Sequence, residues 1–105
     1  MSKVEEIFHA LADASRLGMV ERLSRGPASV SELAEPLDMA LPSVMNHLDV
    51  LADAGVVRSN KIGRVRTYEL ESRALGAVER WVTSRRSAMN ARFDRLERML
   101  AEEDD

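Results

Sequence analysis

Basic side chains that could bind an anionic polymer are concentrated in one stretch of the chain. Residues 57–68 contain no acidic residue and four cationic ones, which are Arg58, Lys61, Arg64 and Arg66. Guanidinium and ammonium groups bind the backbone phosphates of nucleic acids by neutralising their charge. We therefore predict phosphate contact at these positions, with Lys61 and Arg64 as the strongest candidates. The alternatives are a solvated surface for the whole set and, for Arg66, pairing with a carboxylate nearer the core.

Three polar side chains on a predicted helix could read the edges of bases. Ser43, Asn46 and His47 lie near the start of this helix, away from its apolar positions. An amide such as that of Asn46 can bond adenine at two atoms in the major groove of DNA. We predict that Asn46 and His47 contact bases and that Ser43 contacts a base or a phosphate. The alternative is a set of solvated helix residues.

Other chemistries lack the residues that they require. The chain has no cysteine, which excludes disulfides and thiolate metal ligands. His9 could bind a metal only together with partners, and no spaced cluster of ligands accompanies it. We find no nucleophile beside a base, no phosphate-binding glycine loop and no distinctive pair of carboxylates. The sequence therefore predicts a protein that is not an enzyme and that has no cofactor or metal site.

Length and charge set the broad class of the protein. The 105 residues suffice for one domain with a single core, and 45% of them are hydrophobic. The net charge of −3 argues weakly against nucleic acid, but residues 102–105 are all acidic, and residues 1–101 carry a net charge of +1. No apolar run is long enough for a membrane helix or a signal peptide. We expect a single domain over residues 1–105, in the cytoplasm and away from membranes.

The polar helix belongs to a pair of helices predicted within residues 31–55. The second helix, 41–54, ends before Gly55, a residue suited to the left-handed position past a helix end. Its apolar face comprises Leu41, Val44, Met45, Leu48, Leu51 and Ala52. The first helix, 31–38, begins at a cap that is Ser31 or, by capping-box spacing, Ser29. Two helices joined by a turn of about three to four residues form the DNA-reading helix-turn-helix.

Shorter patterns surround this pair of helices. Two amphipathic helices precede it, the first with an apolar face at Val4, Ile7, Phe8 and Leu11 and the second, capped by Asp13, with one at Leu17, Val20 and Leu23. Residues 28–30 could form a short strand. After Gly55, β-branched and aromatic residues predict a β-hairpin with its turn at 60–63, in which Tyr68 and Leu70 cover the helices. The predicted fold class is mainly α with a small β-hairpin, a winged helix-turn-helix.

A long helix is predicted from its cap, Ser72, to residue 102, with a frayed acidic tail at 103–105. An apolar residue recurs every seven positions along it, at Leu75, Val82, Met89 and Leu96, with Val78, Phe93 and Leu100 beside them. At about 1.5 Å per residue the helix is roughly 45 Å long and extends beyond so small a core. Its apolar stripe, with Trp81 at its side, therefore needs a second surface, and the same helix of another subunit is the simplest.

Four segments in this order resemble a known family: HALADASRLGMVERL, SVSELAE, LPSVMNHLDVLADAGVVRS and GRVRTYEL. They resemble the ArsR/SmtB family of winged-helix repressors, over about residues 4–70. The resemblance implies a homodimeric transcriptional repressor with helices 31–38 and 41–54 as the DNA-binding pair. It also implies an interface built from the first and last helices, for which the residues expected here are Val4, Phe8, Leu75, Val82, Met89, Phe93 and Leu96.

The chain departs from the metal-sensing members of that family at both of their usual sites. Those members carry cysteines where Ser29 and Ser31 stand, and hydroxyls are poor ligands for the soft metals that thiolates hold. Others bind zinc through histidines and carboxylates of the last helix, and residues 72–105 contain no histidine. Ala40 replaces the serine common before the recognition helix, and the pair Leu41-Pro42 resembles a branch that does not sense metals.

These observations predict a homodimer that binds an inverted-repeat operator in double-stranded DNA and represses transcription. An unknown small molecule or protein would act as its effector, if it has one. Two alternatives stay open. One is a winged-helix module that binds protein and not DNA, which the basic hairpin disfavours. The other is a metal sensor with an unusual oxygen and nitrogen site, in which His9 would take part.

Overall fold

The computed structural model describes residues 3–103 as five helices and three strands. In chain order they are α1 (Lys3–Leu11), α2 (Ala14–Leu23), β1 (Ala28–Ser29), α3 (Val30–Ala34), α4 (Leu41–Asp53), β2 (Val57–Ile62), β3 (Val65–Leu70) and α5 (Ser72–Glu103). The strands form one antiparallel sheet in the order β1-β3-β2. The predicted fold class is confirmed, and the short segment considered at 28–30 adds a third strand to the hairpin.

One hydrophobic core holds the helices against the sheet. Its largest fully buried side chains are Ile7, Leu33, Val44, Leu48, Leu51 and Val56. From α2 the core takes Met19 and Leu23, whereas Leu17, predicted on the buried face, is 46% exposed. Leu17 and Met19 are two positions apart and so lie on different sides of the helix, where only one of them can face the core. Asp13 caps α2 as predicted.

α3 starts one residue earlier than predicted and is much shorter. Its cap is Ser29 and not Ser31, since the Ser29 hydroxyl accepts the Glu32 N–H at 3.2 Å while the Glu32 carboxylate accepts the Ser29 N–H at 3.1 Å. This reciprocal pair satisfies two amides at the helix start. Pro36 has no amide hydrogen with which to continue the helix, which ends at Ala34. Residues 35–40 therefore connect α3 to α4, a longer turn than predicted.

α4 presents one face to the core and leaves the other open. Val44, Leu48 and Leu51 are fully buried, whereas Leu41 and Ala52, predicted on the same face, are exposed. These two residues lie at the edge of the apolar face, one in the first turn and the other in the last, where fewer neighbours cover the helix.

The end of α4 is shaped by a left-handed glycine, as predicted. Gly55 has a φ of +78°. Its N–H bonds to the Ala52 carbonyl at 3.0 Å, and the Val56 N–H bonds to the Leu51 carbonyl at 2.9 Å. These two bonds form a Schellman motif, which satisfies the last carbonyls of the helix. The chain thus turns directly from α4 into β2, with Val56 and Val57 buried.

β2 and β3 form the hairpin, which we call the wing. Ile62 pairs with Val65, so the turn is Gly63-Arg64, and the predicted turn at 60–63 was placed too early. Gly63 has a φ of +63°, the conformation needed at the first position of such a two-residue turn. Tyr68 is 3% exposed and Leu70 packs against the core, which confirms that this face of β3 covers the helices.

α5 extends far beyond the core. Its 32 residues span about 48 Å at about 1.5 Å per residue, and Ala74 is its one buried residue. The described part of the chain is 73 Å long and 27 Å by 25 Å across. Ser72, predicted to cap the helix, is its first residue, and Glu103, predicted in the frayed tail, is its last. The remainder of that tail, 104–105, lies outside the described residues.

Replacing Gly55 with alanine should lower the free energy of unfolding by about 1–2 kcal/mol, because a side chain disfavours the left-handed conformation. Gly18 provides a matched control, since it lies inside α2 and an added Cβ would meet nothing within 4 Å. Gly18→Ala should raise the free energy of unfolding by about 0.5–1 kcal/mol. Urea denaturation of both variants measures the two changes, and a loss of equal size in both would contradict this account.

Candidate nucleic-acid interface

The wing lies beside the beginnings of α3 and α4. These elements border one surface depression, whose lining includes Ser31, Leu41, Met45, Lys61, Arg64 and Arg66. Three of the four cations that the sequence singled out therefore share one site with the start of α4. Within residues 3–103, no carboxylate forms an ion pair with any of the three.

The positive charges of the wing are crowded together. Lys61 and Arg66 lie directly opposite each other across β2 and β3, and Arg64 lies in the turn. Like charges at opposed strand positions destabilise the pairing. Arg66 donates to the Ser59 hydroxyl at 2.9 Å and not to the carboxylate considered above. A bound anion such as a phosphate would relieve this repulsion.

Arg58 is engaged elsewhere. It lies opposite Glu69 in the sheet, and its guanidinium pairs with the carboxylates of Glu69 and Glu71, the latter at 2.7 Å. The hydrogen bond from Arg58 to Glu69 raises the pKa of the guanidinium above its usual range. Since two carboxylates already offset its charge, the structure does not support Arg58 as a phosphate contact. The strand register places it against acids that lie 11 and 13 residues away in the chain.

The open side of α4 carries Ser43 and Asn46, both exposed. No side chain caps this helix, because Ala40 stands at the cap position and its methyl group cannot accept a hydrogen bond. The amide end of α4 is therefore available to an anion. The side chain of His47 is 22% exposed, and its Nδ1 faces the start of α2. Of the three polar residues predicted to contact DNA, Ser43 and Asn46 are exposed, whereas His47 contacts other residues of the protein.

Arg16 holds His47 from α2. Its Nη1 lies 3.1 Å from the His47 Nδ1, its Nε donates to the Ala10 carbonyl at 2.5 Å, and its Nη2 lies 3.5 Å from the His9 carbonyl. The Asp13 carboxylate accepts the backbone N–H of Arg16 at 3.0 Å and lies 3.9 Å from the His47 Nδ1. One side chain therefore joins α1, α2 and α4. Sequence reasoning gave Arg16 no role, since 31 residues separate it from His47.

α1 and α5 present a second, apolar surface. Phe8 packs edge-on against Trp81 with ring centroids 5.3 Å apart, and the Arg85 guanidinium lies 4.9 Å from the Trp81 ring. Of the residues predicted for a dimer interface, Val4 is half-buried. The others keep 37–57% of their surface exposed, and they are Phe8, Leu75, Val82, Met89, Phe93 and Leu96. Met89, Phe93 and Leu96, which lie past the core, are each more than half exposed.

Other kinds of site have less support. Within residues 3–103, no group of three or more histidine, aspartate or glutamate side chains is placed to hold a metal ion. Glu6, His9 and Asp53 border a common surface depression without forming such a group. In the same residues, no helix is both long enough and apolar enough to cross a bilayer.

Known proteins are similar to this chain in sequence and in fold. The family model HTH_20, a helix-turn-helix domain, matches residues 11–60. The HTH-type transcriptional regulator Rv2034 of Mycobacterium tuberculosis strain H37Rv is 40% identical over 74 residues, which cover 70% of this chain and 69% of that protein. The crystal structure of the ArsR family transcriptional regulator RHA00566 matches with a TM-score of 0.82 and 48% identity, covering 85% of this chain and 98% of that one.

A third similar protein has a solved structure that is described as a homodimer. The solution structure of the homodimeric winged helix-turn-helix DNA-binding domain of Mb0332 from Mycobacterium bovis, a possible ArsR-family transcriptional regulator, matches with a TM-score of 0.66. It is 25% identical and covers 78% of this chain and 79% of that one.

The fold and the similar proteins define a winged helix-turn-helix regulator of transcription. The chain belongs to the ArsR family, which the sequence resemblance had indicated. This family consists of transcriptional regulators and not of enzymes, which confirms that prediction.

The capping carboxylate of Asp13 should make part of the stability depend on pH. The backbone N–H of Arg16 holds the pKa of Asp13 below its usual value of 3.8. Because the folded state has the lower pKa, this contribution is complete above the usual value and is lost as the pH falls through the lowered one. Asp13→Asn should retain the cap near pH 7 and flatten the loss of stability below about pH 4.

Asp13→Ala is the matched control, because it removes the cap and should lower the free energy of unfolding at neutral pH as well. Urea unfolding at several pH values compares the three proteins. A parallel acid-induced loss in the wild type and in Asp13→Asn would show that another group carries the pH dependence.

Proposed function

We propose that the chain is a homodimeric, sequence-specific DNA-binding repressor that binds an inverted-repeat operator. The observation that carries this proposal is the convergence of Lys61, Arg64 and Arg66 with the uncapped start of α4 on one surface. Cations without carboxylate partners beside an open helix face suit the outer surface of a DNA duplex, where phosphates flank the major groove.

α4 and the wing would make different kinds of contact with DNA. Asn46 and Ser43 lie on the exposed face of α4, which a major groove is wide enough to admit. Lys61, Arg64 and Arg66 would contact phosphates, which position the protein without reading sequence. Arg58 is not among the proposed phosphate contacts, because the carboxylates of Glu69 and Glu71 already offset its charge. His47 stays in the set of proposed DNA contacts.

The dimer would form through the apolar stripe of α5 and the adjacent face of α1. A stripe from Leu75 to Leu96 that extends past the core requires a second apolar surface, and a second copy of the chain supplies an identical one. The homodimeric state of the similar domain Mb0332 supports this assembly. The interface residues are those predicted from the sequence, with Trp81 as an aromatic residue beside them.

Charge along α5 favours an antiparallel pair of these helices. The first two thirds of the helix carry five arginines and one acid, whereas the helix ends in Glu102 and Glu103. A parallel pair would set Arg85 and Arg92 against their own copies at the seam. An antiparallel pair would bring the acidic end of each helix toward the basic part of the other, which is electrostatically favourable.

Repression would follow when the dimer occupies a promoter in the cytoplasm. An effector, if there is one, would change the spacing of the two α4 helices and hence the fit to both half-sites. A small molecule or a protein suits this role better than a metal ion, given that residues 3–103 lack a ligand cluster. The protein-binding alternative without DNA is disfavoured by the unpaired cations of the wing.

Selection of bound duplexes from a random pool tests the proposed function directly. We expect an enriched inverted repeat, with half-site centres about one helical turn, or roughly 10 base pairs, apart or a multiple of this. Enrichment of a single site without symmetry would contradict the dimeric assembly. No enrichment at all would favour the protein-binding alternative.

Asn46→Ala and Arg64→Ala should weaken DNA binding in different ways. Loss of the Asn46 amide should reduce affinity by about 1–3 kcal/mol and relax the preference at one symmetric base position. Loss of the Arg64 charge should weaken all sequences similarly. It should also lower the salt slope of the binding constant by about 2 in a dimer, since each phosphate contact contributes about 0.9.

Arg58→Ala is the matched control for the wing, because it removes the same charge from a guanidinium that already has two carboxylate partners. Its salt slope should match that of the wild type. Fluorescence anisotropy at several salt concentrations measures all three variants. If Arg58→Ala and Arg64→Ala change the salt slope equally, the ion pairs of Arg58 do not keep it from contacting phosphates, contrary to the proposal.

Glutamates at Met89 and Leu96 should break the dimer, because they place four carboxylates in one apolar seam. The matched control introduces the same charges on the opposite side of α5 through Ser87→Glu and Ala91→Glu, which should leave the dimer intact. Analytical ultracentrifugation measures the mass of both double variants. A dimeric Met89/Leu96 variant, or a control that dissociates equally, would contradict the proposed seam.

A further inference from the structure

We propose that Arg16 is a positioning residue that fixes His47 as a hydrogen-bond donor toward DNA. The inference rests on the proposed function and deepens it. It concerns which ring nitrogen of His47 carries the proton and which protein group decides this.

The geometry around Nδ1 determines the tautomer. A guanidinium has donors only, so at 3.1 Å the Nδ1 of His47 must accept the hydrogen bond from the Arg16 Nη1. A neutral imidazole that accepts at Nδ1 carries its proton on Nε2. The other tautomer would need an acceptor for Nδ1, and the nearest carboxylate, that of Asp13, is 3.9 Å away and already bonded to the Arg16 backbone. This distance is too long for a hydrogen bond.

The Nε2 donor keeps contact with solvent. Within residues 3–103, no polar side-chain atom is both buried and without a hydrogen-bond partner. Nε2 of His47 has no protein partner in that part of the chain, so it is not a buried atom. His47 lies on α4 one residue after Asn46 and four after Ser43, both of which are exposed. An N–H there suits an acceptor on DNA, either a phosphate oxygen or the N7 or O6 of guanine.

Arg16 is itself held by groups that do not take part in DNA binding. Its Nε is bonded to the Ala10 carbonyl, and its Nη2 lies near the His9 carbonyl, both at the end of α1. These contacts fix the guanidinium before DNA arrives. The imidazole is therefore oriented in advance, which reduces the ordering that binding requires.

Nitrogen-15 spectra of the imidazole rings test the tautomer without DNA. The chain has two histidines, and His9→Gln identifies the signals of His47. In mildly alkaline solution, we expect the proton of His47 on Nε2 in the wild type and a mixture of tautomers in Arg16→Gln. A wild-type proton on Nδ1, or an unchanged spectrum in Arg16→Gln, would overturn the proposal.

Two amide substitutions at position 47 separate the two ring nitrogens. Asparagine places its amide near the position of Nδ1 and lacks a group at Nε2, whereas glutamine places an amide N–H near Nε2. We expect His47→Asn to lose about three- to tenfold in affinity per half-site, the effect of one hydrogen bond. His47→Gln should retain most of the affinity. The reverse order would show that Nε2 is not the group that meets DNA.

Combining these variants with Arg16→Gln distinguishes positioning from general stability. Arg16→Gln should weaken binding in the wild type but add little in His47→Asn or His47→Gln, because neither side chain depends on a tautomer. Equal losses in all three backgrounds, with parallel losses of thermal stability, would assign Arg16 a structural role only. An effect confined to one base pair identifies a base acceptor, and a uniform effect identifies a phosphate.

A wild-type chain that binds no DNA would overturn the proposed function and the donor role of His47 together. The spectra would still show whether Arg16 fixes the tautomer. The two failures are therefore distinguishable.

Discussion

The burial of one face of α4 is the interaction on which the rest of the structure depends. Val44, Leu48 and Leu51 are fully buried, and α1, α2, α3 and β2 all contact this helix. A helix fixed in rotation by three buried side chains must turn its remaining faces to solvent, which places Ser43 and Asn46 outside. The Schellman motif at Gly55 then sets the direction in which the wing leaves. Both parts of the candidate DNA surface are thus positioned by the same packing.

The sequence predicted the elements well where a repeating pattern reports directly on burial. In α1, α4 and α5, apolar residues recur at helical spacing over enough positions to identify each helix without the tertiary structure. Prediction failed where a partner distant in the chain decides the outcome. The pairing of Arg58 with Glu69 depends on strand register, and the contact of Arg16 with His47 depends on how α2 crosses α4. Short elements were also less certain, since the start of α3 depended on which of two serines accepted the Glu32 amide.

α1 connects the two surfaces of the molecule. On one side Phe8 contacts Trp81 of α5, and on the other Ile7 and Ala10 lie in the core with α4. Its last carbonyls also hold the Arg16 side chain. A shift of α1 against α5 would therefore be felt at α4 through packed side chains, with no flexible loop between them. If an effector bound at the proposed dimer surface, this packing would connect it directly to α4, the helix proposed to read DNA.

The uncovered stripe of α5 has a consequence for gene dosage. Past the core, each turn of this helix has only its own hydrogen bonds to stabilise it, and such segments are marginal in water unless an apolar face is covered. In a dimer formed through this helix, association and ordering would reinforce each other. At low expression the amount of DNA-competent protein would then rise with the square of the chain concentration, so that a modest change in synthesis would switch the target promoter over a narrow range.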